Sequence, residues 1–580
     1  MRSGMRAMNP AIEDLFASTS EGPTATVEQH HLDQPPHQRA IASIRRVMED
    51  GHIVQAQFSS GKDSSALVNL VLSAALEIQA TGATVPPIYI CHVDVGVENP
   101  EVRSLADREL AKIDAFAKKH RLPVKIHIGK PALNACFATR IIGGRALPPF
   151  PGVRRDCSTD WKIVVSQRLS RRIRERHAGA KVITLIGTRS SESTERAINT
   201  AKRGETAHQV WASKDGSLML SPIVDWQTDE LWEFLGEASA GWHPAYSDFR
   251  DMMDYYAAAG GSTCAVIGDL NASSKACGAR GGCFTCTAVD SDHSVHNMIR
   301  TKPERYDYLK PLMNFRDFMA DTQWDWSRRN FIGRTIDSDG FIAVKADQYS
   351  PLMCEQLLRY ALAAQDDANR MGSPSHVKIV GLRELFAIDF YWSARAWHPP
   401  FHALWVYLDH CAGNVQRAPK VEHRFAPSPL PNIGAIHVGD DWDDQSSPLY
   451  PGGMRDPAWE THFESCGPRL RTSAGGKVFL MLEEGPEFDV DLEGASLFLE
   501  FEAENMIERF HRGDVDWTIG ASTYLRYGTV TIGEGQSAFT DKLLRRSQWL
   551  QRHDLHGHQT AQALRARCDK WMASQEELFA

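Results

Sequence analysis

Short apolar runs alternate with longer amphipathic stretches over the first half of the chain. A β-branched run opens the segment 53–71 and leads through small polar residues into an apolar helical pattern. Two further apolar runs lie at 85–95 and 181–196, and a helical pattern follows the first of them. Strands that alternate with amphipathic helices are typical of a parallel sheet with helical crossovers. We therefore predict an α/β core with a parallel sheet over residues 37–300.

The hydrophobic pattern changes outside this core. Residues 1–36 are polar and predict a disordered tail, whereas the periodicity of 301–416 predicts a mostly helical extension. Repeated prolines between 417 and 457 predict a linker. Residues 458–580 predict a small α+β domain, to which the sequence assigns no role.

Two apolar stretches lie within that last domain. Residues 477–485 and 496–504 are rich in apolar positions and predict strands. From about Thr540 the pattern predicts a helix.

The charge of the chain narrows its range of partners. The net charge of −9 provides no global basic field that would attract a nucleic acid. The densest basic segment, 168–177, either follows a phosphate backbone or is the solvated face of a helix. No apolar run reaches the roughly 18 residues of a membrane span, and residues 1–36 lack the apolar region of a signal peptide. We therefore expect a cytoplasmic protein without a membrane partner.

The loop between the first apolar run and its helix has the composition of a phosphate cradle. Small residues let backbone N–H groups approach an anion, and the following helix adds its N-terminal amides and dipole. A lysine in the loop supplies a mobile positive charge. The spacing is not that of a Walker A loop. We predict a nucleotide-phosphate site formed by Ser59, Ser60, Gly61, Lys62, Asp63 and Ser64.

Polar residues follow the other two apolar runs. Asp94 ends the second run, and Gly187–Arg196 belongs to the third. Ligands of parallel sheets bind beyond the carboxyl ends of the strands. Both segments are therefore predicted to belong to the same nucleotide site as the loop.

The cysteines indicate a second site. The chain has eleven cysteines, and a cytosolic protein rarely builds disulfides, so a cluster indicates a metal or catalysis. Cys277, Cys283 and Cys286 form such a cluster, with Cys264 upstream and Cys157 as a candidate fourth ligand. Thiolates suit both iron–sulfur clusters and zinc. A zinc knuckle would use the four later cysteines without Cys157, and the spacing leaves both possibilities open.

Three motifs in this order resemble those of the PP-loop ATP pyrophosphatases and the phosphoadenosine-phosphosulfate (PAPS) reductase family. S-x-G-K-D-S lies at Ser59–Ser64, D-x-G-x-x-x-P-E at Asp94–Glu101, and G-x-R-x-x-E-S-x-x-R at Gly187–Arg196. The resemblance implies the adenine nucleotide alpha hydrolase-like fold of that superfamily.

The cysteine region is similar to that of DndC, the PP-loop protein of bacterial DNA phosphorothioation. Residues Cys277–Thr287 resemble its C-G-x-S-R-F-G-C-W-x-C-T motif. Arg155, Cys157 and Lys162 match its R-x-C-x-x-x-x-K element. The chain is therefore similar to this family in both cysteine-bearing segments.

Two later segments, Tyr308–Arg316 and Asp325–Ala364, resemble the helical segment that follows the cluster in the DndC family. The resemblance covers roughly residues 40–370 and does not extend to the C-terminal part. The interval between the first two clustered cysteines is one residue shorter than in the family, and Phe284 replaces a tryptophan. This departure leaves open whether Cys264 or Cys277 is the ligand.

The DndC resemblance implies cleavage of ATP with release of pyrophosphate and use of Mg²⁺. The implied ATP-binding residues are Ser59, Ser60, Gly61, Lys62, Asp63, Ser64, Asp94, Gly187 and Arg189. Lys62, Asp63 and Arg189 are the predicted catalytic residues, and Asp94 would bind Mg²⁺ or orient the nucleotide. Arg196 would, like Arg189, neutralise developing charge, unless each forms an ion pair with a neighbouring glutamate, as i,i+4 pairs commonly do.

The same resemblance implies a four-iron, four-sulfur cluster on Cys157, Cys277, Cys283 and Cys286, with zinc as the alternative metal. Transfer of AMP to a DNA phosphate oxygen would turn it into a good leaving group, which sulfur then displaces. The implied partners are DNA, bound directly or through another subunit, a cysteine desulfurase as sulfur donor, and other phosphorothioation proteins. The acceptor, the modified DNA sequence and its strandedness, and the oligomeric state stay open.

Three other functions remain as alternatives. A PAPS or adenylyl-sulfate reductase would use a nucleophilic cysteine in a mobile C-terminal tail, whereas Cys568 lies in a helical pattern here. A PP-loop tRNA thiolase would activate its acceptor, tRNA, by the same transfer of AMP before sulfur is inserted. A non-enzymatic scaffold would combine a zinc knuckle with a degenerate nucleotide loop, which the intact Ser59–Ser64 motif disfavours.

Overall fold

The chain is described by a computed structural model. The described residues are 34–152, 155–213, 215–260, 281–454, 469–472, 478–481, 487–512, 515–533 and 535–579. The predicted ligands Cys264 and Cys277 lie outside them, as does the predicted tail up to residue 33.

Two compact units make up the chain, and each contains segments that are distant in sequence. The first unit is Met1–Cys91, Glu109–His127 and Arg172–Arg250. The second unit is His92–Arg108, Ile128–Arg171 and Asp251–Ala580.

A six-stranded, mainly parallel sheet lies mostly in the first unit. Its strands are β1 (Ile53–Phe58), β2 (Ile88–Val93), β3 (Val124–Gly129), β4 (Val182–Leu185), β5 (Trp211–Ala212) and β6 (Leu218–Leu220). They lie in the order β3-β2-β1-β4-β6-β5. Strand β4 pairs in parallel with β1 and β6, and β5 closes the edge antiparallel to β6. The predicted α/β fold with a parallel sheet is confirmed.

The strand order contains a reversal beside β1. The chain proceeds from β1 outward to β3, and then returns to place β4 on the other side of β1. Ligands of open α/β sheets bind where the strand order reverses, at the carboxyl ends of the two central strands. The loops after β1 and β4 are therefore the expected position of a ligand.

Among the helices that the structure describes, six precede, connect or follow the strands of this sheet. They are Pro36–Glu49, Lys62–Ala80, Pro100–His120, Val164–Arg176, Thr194–Arg203 and Thr228–Ser239. Lys62–Ala80 directly follows β1 and is buried on most of its surface. Its Asn69 is 1% exposed but satisfied, since its side chain donates to the Pro244 carbonyl at 3.2 Å and accepts from the Tyr246 amide at 3.3 Å. This packing gives the loop before the helix a rigid base.

The second unit is mainly helical. Its helices are Arg250–Ala258, His293–Thr301, Pro303–Tyr306, Lys310–Asp321, Pro351–Arg370, Leu382–Ala394, His402–Cys411, Leu492–Leu497, Ala503–Phe510, Ile519–Arg526, Ser537–Arg552 and Ala561–Phe579. Short π or 3₁₀ turns lie at Ala138–Ile142, Thr159–Ile163, Ser190–Glu192, Asp307–Leu309, Trp326–Arg328 and Phe498–Glu502, and a single α-turn lies at Asp156–Ser158. Among the described residues, no helix is both long enough and apolar enough to cross a membrane.

Small sheets complete the second unit. Their strands are β7 (Arg329–Ile336), β8 (Phe341–Tyr349), β9 (Ile436–His437), β10 (Arg469–Thr472), β11 (Val478–Met481), β12 (Asp489–Val490) and β13 (Val530–Thr531). Strands β7, β8 and β9 form one sheet, and the pairs β10–β11 and β12–β13 form two more. The hairpin β7–β8 lies within the stretch predicted to be mostly helical.

One hydrophobic core in the second unit joins segments that are far apart in the sequence. Phe331 and Ile342 of the hairpin pack with Ile436 and Trp442, and with Trp549 of a C-terminal helix. Residues from the predicted extension, the predicted linker and the predicted C-terminal domain therefore share this core.

Two local predictions in the C-terminal part have different outcomes. The strand predicted at 477–485 is confirmed over Val478–Met481, whereas the strand predicted at 496–504 is wrong, because these residues are helical. The buried residues are Ala495, Phe498, Ala503 and Ile507, which recur at intervals of three to five residues, whereas Phe501 is 63% exposed. A run that alternates apolar and acidic residues satisfied the strand pattern, but burial follows helical spacing.

Candidate functional site

The loop after β1 closes on itself through its serines. The backbone amide of Ser59 donates to Ser64 Oγ at 3.1 Å, and Ser64 Oγ donates to the Gly61 carbonyl at 3.0 Å. Ser60 is buried and has φ of 57°, a left-handed conformation that a non-glycine residue adopts only where its surroundings enforce it. The helix that follows begins at Lys62, and Gly61 offers its first amides no side-chain cap. The start of this helix, with its positive dipole end, lies at the predicted phosphate cradle.

Lys62, Asp63 and Arg189 form one chain of charges at the start of this helix. Lys62 Nζ lies 3.3 Å from Asp63 Oδ2, and Arg189 Nε donates to Asp63 Oδ1. The Arg189 side chain is 1% exposed, and it also donates to Ser191 Oγ at 2.9 Å and Thr228 Oγ1 at 3.2 Å. The structure thus brings the three predicted catalytic residues together, with Arg189 holding Asp63 in place.

Gly187 is needed because the chain after β4 passes close to the helix start. A Cβ at Gly187 would lie 3.0 Å from the Asp63 carbonyl oxygen and 3.3 Å from the Ser64 nitrogen. Both neighbours are backbone atoms and cannot move aside as a side chain would. The absence of a side chain at Gly187 therefore lets the loop after β4 contact the cradle.

Arg196 forms an ion pair with a neighbouring glutamate, which was the alternative to its predicted role in neutralising charge. It pairs with Glu192, and its amide donates to the capping hydroxyl of Ser193 at 3.2 Å. Its side chain is 42% exposed. Arg196 thus lies in a surface ion pair at the start of helix Thr194–Arg203, whereas Arg189 is turned inward to Asp63.

In the second unit, Asp94 lies in a turn in which it is paired with two cations. Its Oδ2 lies 2.5 Å from Arg103 and 3.4 Å from Lys130, and its Oδ1 accepts from the Gly96 amide at 2.9 Å. Burial raises the pKa of this carboxyl, but the charges of Arg103 and Lys130 outweigh burial and lower it overall. Because both oxygens are already occupied, Asp94 suits an orienting role better than the binding of a divalent cation.

The same turn holds the C-x-x-C loop through backbone bonds. Glu98 forms a β-bridge with Cys283, the Phe284 amide donates to the Val97 carbonyl at 3.0 Å, and the Asn99 amide donates to the Gly282 carbonyl at 3.1 Å. The Cys286 amide donates to the Cys283 carbonyl at 3.0 Å, which forms the tight turn between the two cysteines.

Arg316, on helix Lys310–Asp321, fastens the other side of this loop. It is 3% exposed, and its guanidinium donates to the carbonyls of Cys286 at 2.9 Å, Asp290 at 3.0 Å and Val289. Arg316 also pairs with Asp317 at 2.7 Å. The cysteine loop is therefore held on one side by backbone bonds and on the other by one buried guanidinium.

Cys157 lies close enough to Cys283 and Cys286 for the three thiols to influence one another. Burial raises the pKa of Cys283 to about 12, with further upward contributions from Cys286 and Cys157 and an opposing one from Lys162. Burial also raises the pKa of Cys157, and Cys286 adds to that shift. The segment around Cys157 is irregular, since a single α-turn leads into the π-turn Thr159–Ile163. We call Cys157, Cys283, Cys286 and Lys162 the thiol site.

The thiol site offers three thiols as candidate metal ligands. Its three sulfurs are soft ligands of the kind that bind zinc and iron–sulfur clusters. Burial favours the neutral thiols of Cys157 and Cys283, so a bound cation would be needed to keep these two as thiolates. The described cysteines are all free of disulfides. The fourth predicted ligand, Cys277 or Cys264, lies outside the described residues.

Sequence reasoning missed several residues that shape these sites. Arg316 belongs to the segment Tyr308–Arg316, whose family resemblance was its only signal, and no spacing linked it to the cysteines. Glu98 and Arg103 lie beside the recognised Asp94 motif, but their partners became visible only in the fold. The basic segment 168–177 is divided, because Arg168 pairs with Glu487 in the second unit and Arg174 bonds Ser217 in the first.

Residues 53–288 match the family profile described as "Phosphoadenosine phosphosulfate reductase domain". None of the curated proteins compared with the chain matches it significantly. The match covers the cradle, the Asp94 turn, the segment after β4 and the C-x-x-C loop.

Three solved structures are similar to the chain at low identity. The phosphoadenylyl-sulfate (PAPS) reductase of Candida auris is 12% identical, with 44% of this chain and 100% of that chain covered and a TM-score of 0.22. The FMN adenylyltransferase of Candida glabrata is 14% identical, with 40% and 64% covered and a TM-score of 0.22, so the match spans less than two thirds of that enzyme. The U34-tRNA thiolase NcsA of Methanococcus maripaludis, solved with its 4Fe-4S cluster, is 15% identical, with 38% and 70% covered and a TM-score of 0.24.

The cradle, the strand order and the family match concern the same part of the chain, and the family profile accounts for all three. Residues 53–288 are therefore similar to the phosphoadenosine phosphosulfate reductase domain family.

Proposed function

We propose that the protein is an ATP pyrophosphatase and sulfurtransferase that adenylates a nucleic-acid phosphate, that of DNA, for sulfur insertion in a phosphorothioation system. The observation that carries this proposal is the thiol site. Cys157, Cys283 and Cys286 come from distant segments and share one environment with Lys162. A nucleotide fold that only bound ATP would have no use for such a buried group of thiols.

In the first step, an acceptor phosphate oxygen attacks the α-phosphorus of ATP. The bond from that phosphorus to the bridging oxygen breaks, and pyrophosphate leaves with the electron pair. The orphan amides at the start of helix Lys62–Ala80 stabilise the charge that develops on the leaving group. Lys62 adds a positive charge, and Arg189 orients Asp63 against it.

In the second step, the outer sulfur of a persulfide supplied by a cysteine desulfurase attacks the activated acceptor phosphorus. A phosphorus–sulfur bond forms, and AMP leaves with the electron pair of the broken phosphorus–oxygen bond. A thiol reductant then cleaves the remaining sulfur–sulfur bond, and it is oxidised to a disulfide as the phosphorothioate is released. A four-iron, four-sulfur cluster held by Cys157, Cys283 and Cys286 would bind the incoming sulfur at the thiol site.

The participation of Cys157 supports an iron–sulfur cluster over zinc. A local zinc knuckle of Cys264, Cys277, Cys283 and Cys286 would leave Cys157 outside the metal site. Burial raises the pKa of Cys283, and Cys286 and Cys157 add to that shift, which indicates that Cys157 lies in the same part of the fold as the other two thiols. Zinc alone in anaerobically purified protein, without iron or acid-labile sulfide, would contradict the cluster.

The environment of Cys568 argues against the reductase alternative. Cys568 is 5% exposed, lies within helix Ala561–Phe579, and its Sγ donates to the Ala435 carbonyl at 3.3 Å. A nucleophilic cysteine has to reach its substrate as an exposed thiolate. A buried and hydrogen-bonded thiol does not serve that role.

The test measures pyrophosphate release from ATP by anaerobically purified protein. Lys62→Ala and Asp63→Ala are expected to reduce the rate by at least about 100-fold, because they remove charge at the transferred group. Lys118→Ala is the matched control, since Lys118 is 77% exposed and pairs with Asp114. Wild-type activity in the Lys62 and Asp63 variants would contradict the assignment of the cradle.

The acceptor is tested in cells with and without the gene. Mass spectrometry of host DNA is expected to detect phosphorothioate linkages only with the wild-type gene, and not with Cys283→Ser. Cys411→Ser, at an exposed cysteine of the same unit, is the control and is expected to retain them. An unchanged DNA profile beside changed tRNA thionucleosides would favour the tRNA thiolase instead.

A further inference from the structure

A large cleft lies entirely within the second unit. Its volume is about 1440 Å³, above the roughly 300–1,000 Å³ of ordinary small-molecule sites. The irregular segment 132–161, the hairpin β7–β8, helix Leu382–Ala394 and helix Ser537–Arg552 form its walls. Cys157 of the thiol site is one of its lining residues.

Four arginines crowd together in this cleft. The burial of Arg395 lowers its pKa to about 9, with further lowering by Arg145, Arg546 and Arg334. Burial lowers the pKa of Arg546 to about 10, and Arg334 adds to that shift. Positive charges that approach one another away from water are costly unless an anion joins them. We call Arg145, Arg334, Arg395 and Arg546 the arginine cluster.

Three of the carboxylates that line the cleft pair with arginines, and one of the three pairs with a member of the cluster. Asp160 pairs with Arg140, Glu487 pairs with Arg168 at 3.2 Å, and Asp347 pairs with Arg334 at 3.4 Å. Within the described part of the chain, no carboxylate forms an ion pair with the other three members of the cluster, Arg145, Arg395 and Arg546. The cleft therefore carries uncompensated positive charge.

The donors of these arginines are only partly used. Arg395 donates one bond to the Gly143 carbonyl at 3.0 Å, and Arg145 donates to the Asn134 carbonyl. The buried Nε of Arg546 has no hydrogen-bond partner among the described residues. A guanidinium carries five N–H donors in a planar fork that matches a phosphate. Several donors thus remain for phosphate oxygens.

Aromatic rings lie against two arginines of the cluster, and another aromatic ring in the cleft is exposed to solvent. The Arg145 guanidinium lies 4.6 Å from the ring centre of Tyr391, and that of Arg395 lies 5.1 Å from the ring centre of Trp397. Phe539 also lines the cleft, and it is 65% exposed. An exposed ring beside a row of cations is the arrangement by which proteins stack the bases of a single strand.

We propose that this cleft binds a single strand of nucleic acid, with its phosphates on Arg145, Arg395 and Arg546, a base on Phe539, and Cys157 in the adjoining wall. This inference rests on the proposed function, for which it supplies the acceptor channel. It also moves the nucleic-acid contact away from the basic segment 168–177, of which only Arg168 lines the cleft.

The test measures binding of fluorescent oligonucleotides of about 12 nucleotides, a length within the usual site size, to the full chain without ATP. Single-stranded DNA and RNA are compared across salt concentrations. Three phosphate contacts predict a slope of about −2 for log affinity against log salt. Arg395→Gln and Arg546→Gln are each expected to make that slope shallower by about 0.7 and to weaken binding several-fold. Arg512→Gln, at an arginine that is 78% exposed and pairs with Glu508, is expected to leave both unchanged.

Phe539→Ala keeps the test valid if an arginine variant fails to fold, because Phe539 is largely exposed. Binding is expected to weaken by about ten-fold with no change of the salt slope, since stacking is lost and charge is kept. The absence of strand binding, or an equal loss in Arg512→Gln, would overturn the cleft assignment. Displacement of the strand by an equal phosphate concentration of pyrophosphate would likewise overturn it in favour of a small-anion site.

Failure of the cleft and failure of the proposed enzyme are distinguishable. Strand binding without any pyrophosphate release from ATP supports the cleft and contradicts the enzyme. Pyrophosphate release without strand binding contradicts the cleft and leaves the cradle assignment standing. Tighter binding of DNA than of RNA supports a DNA acceptor, and the reverse order supports an RNA acceptor in the same cleft.

Discussion

The phosphate cradle of the first unit and the thiol site of the second unit contrast in how their parts are brought together. The cradle takes its loop and its helix start from the consecutive residues Ser59–Ser64, and its donors are largely backbone amides. The thiol site takes Cys157 from one segment and Cys283–Cys286 from another, and it relies on Arg316 from a third.

This contrast indicates different sensitivities to substitution. Backbone amides persist in every substitution except one by proline, so the cradle is disturbed mainly where its shape or its charge chain changes. The thiol site depends on side chains that cross between segments, so the loss of one distant guanidinium removes its support. Substitutions that disturb either the cradle or the thiol site, and leave the other intact, would show that the two sites are independent of each other.

The largest effect is expected for Arg316→Ala. Three backbone carbonyls would lose their buried donor, and the free energy of unfolding is expected to fall by roughly 3 kcal/mol. Bound metal should fall by at least about ten-fold, as for other losses of support around metal ligands. Metal analysis and nucleotide binding are measured together, with Arg512→Ala as the control. Loss of nucleotide affinity along with the metal would show that the two sites are not independent.

Acid is expected to act on the helical part of the second unit through His398. Burial lowers the pKa of His398 to about 3, from an ordinary value of 6.5. Below pH 6.5 the unfolded chain binds a proton on His398 that the folded chain excludes. The contribution of His398 to the free energy of unfolding is therefore fully present above pH 6.5 and is lost as the pH falls toward 3. Between pH 6.5 and 4 the expected loss is about 3 kcal/mol. Urea unfolding of the wild type and of His398→Gln at pH 6.5 and pH 4 measures this loss of stability. An identical pH dependence in the two proteins would refute the role given to His398.

A smaller effect is expected for Gly187→Ala in the first unit. The added Cβ would press on the backbone of Asp63, and such overpacking costs about 1–3 kcal/mol. Nucleotide affinity is expected to fall by about ten-fold, because the cradle changes shape while metal content stays the same. Gly236→Ala is the matched control, since a Cβ there meets nothing within 4 Å and lies in helix Thr228–Ser239. Equal nucleotide affinities in the two variants would contradict the close approach.

The smallest effect is expected for Cys568→Ser. A serine hydroxyl replaces the thiol as donor to the Ala435 carbonyl, so stability should change by about 1 kcal/mol or less. Pyrophosphate release, metal content and strand binding are all expected to stay at wild-type levels. A large loss of activity would revive the reductase alternative, in which this cysteine is the nucleophile.

Much of the first unit was predictable because its information is local. The apolar runs at β1, β2 and β4 are continuous, and the cradle follows β1 without interruption. The contact between Arg189 and Asp63 was not predictable, since periodicity and spacing say nothing about which arginine reaches a given carboxylate. The strand expected at 496–504 failed for a related reason, because the helical spacing of its buried side chains depends on what packs against them.

By itself, the sequence determined the α/β core, the position of the phosphate loop and the cysteine types available for a metal. These features depend on residues close together in the chain, where local hydrophobic periods and backbone preferences act directly. Only the tertiary structure decided that Cys157 joins Cys283 and Cys286, that Arg316 supports their loop, and that four arginines share a cleft in the second unit. Those contacts arise when distant segments bury their apolar faces together, because the packing then sets which charged and thiol groups face one another.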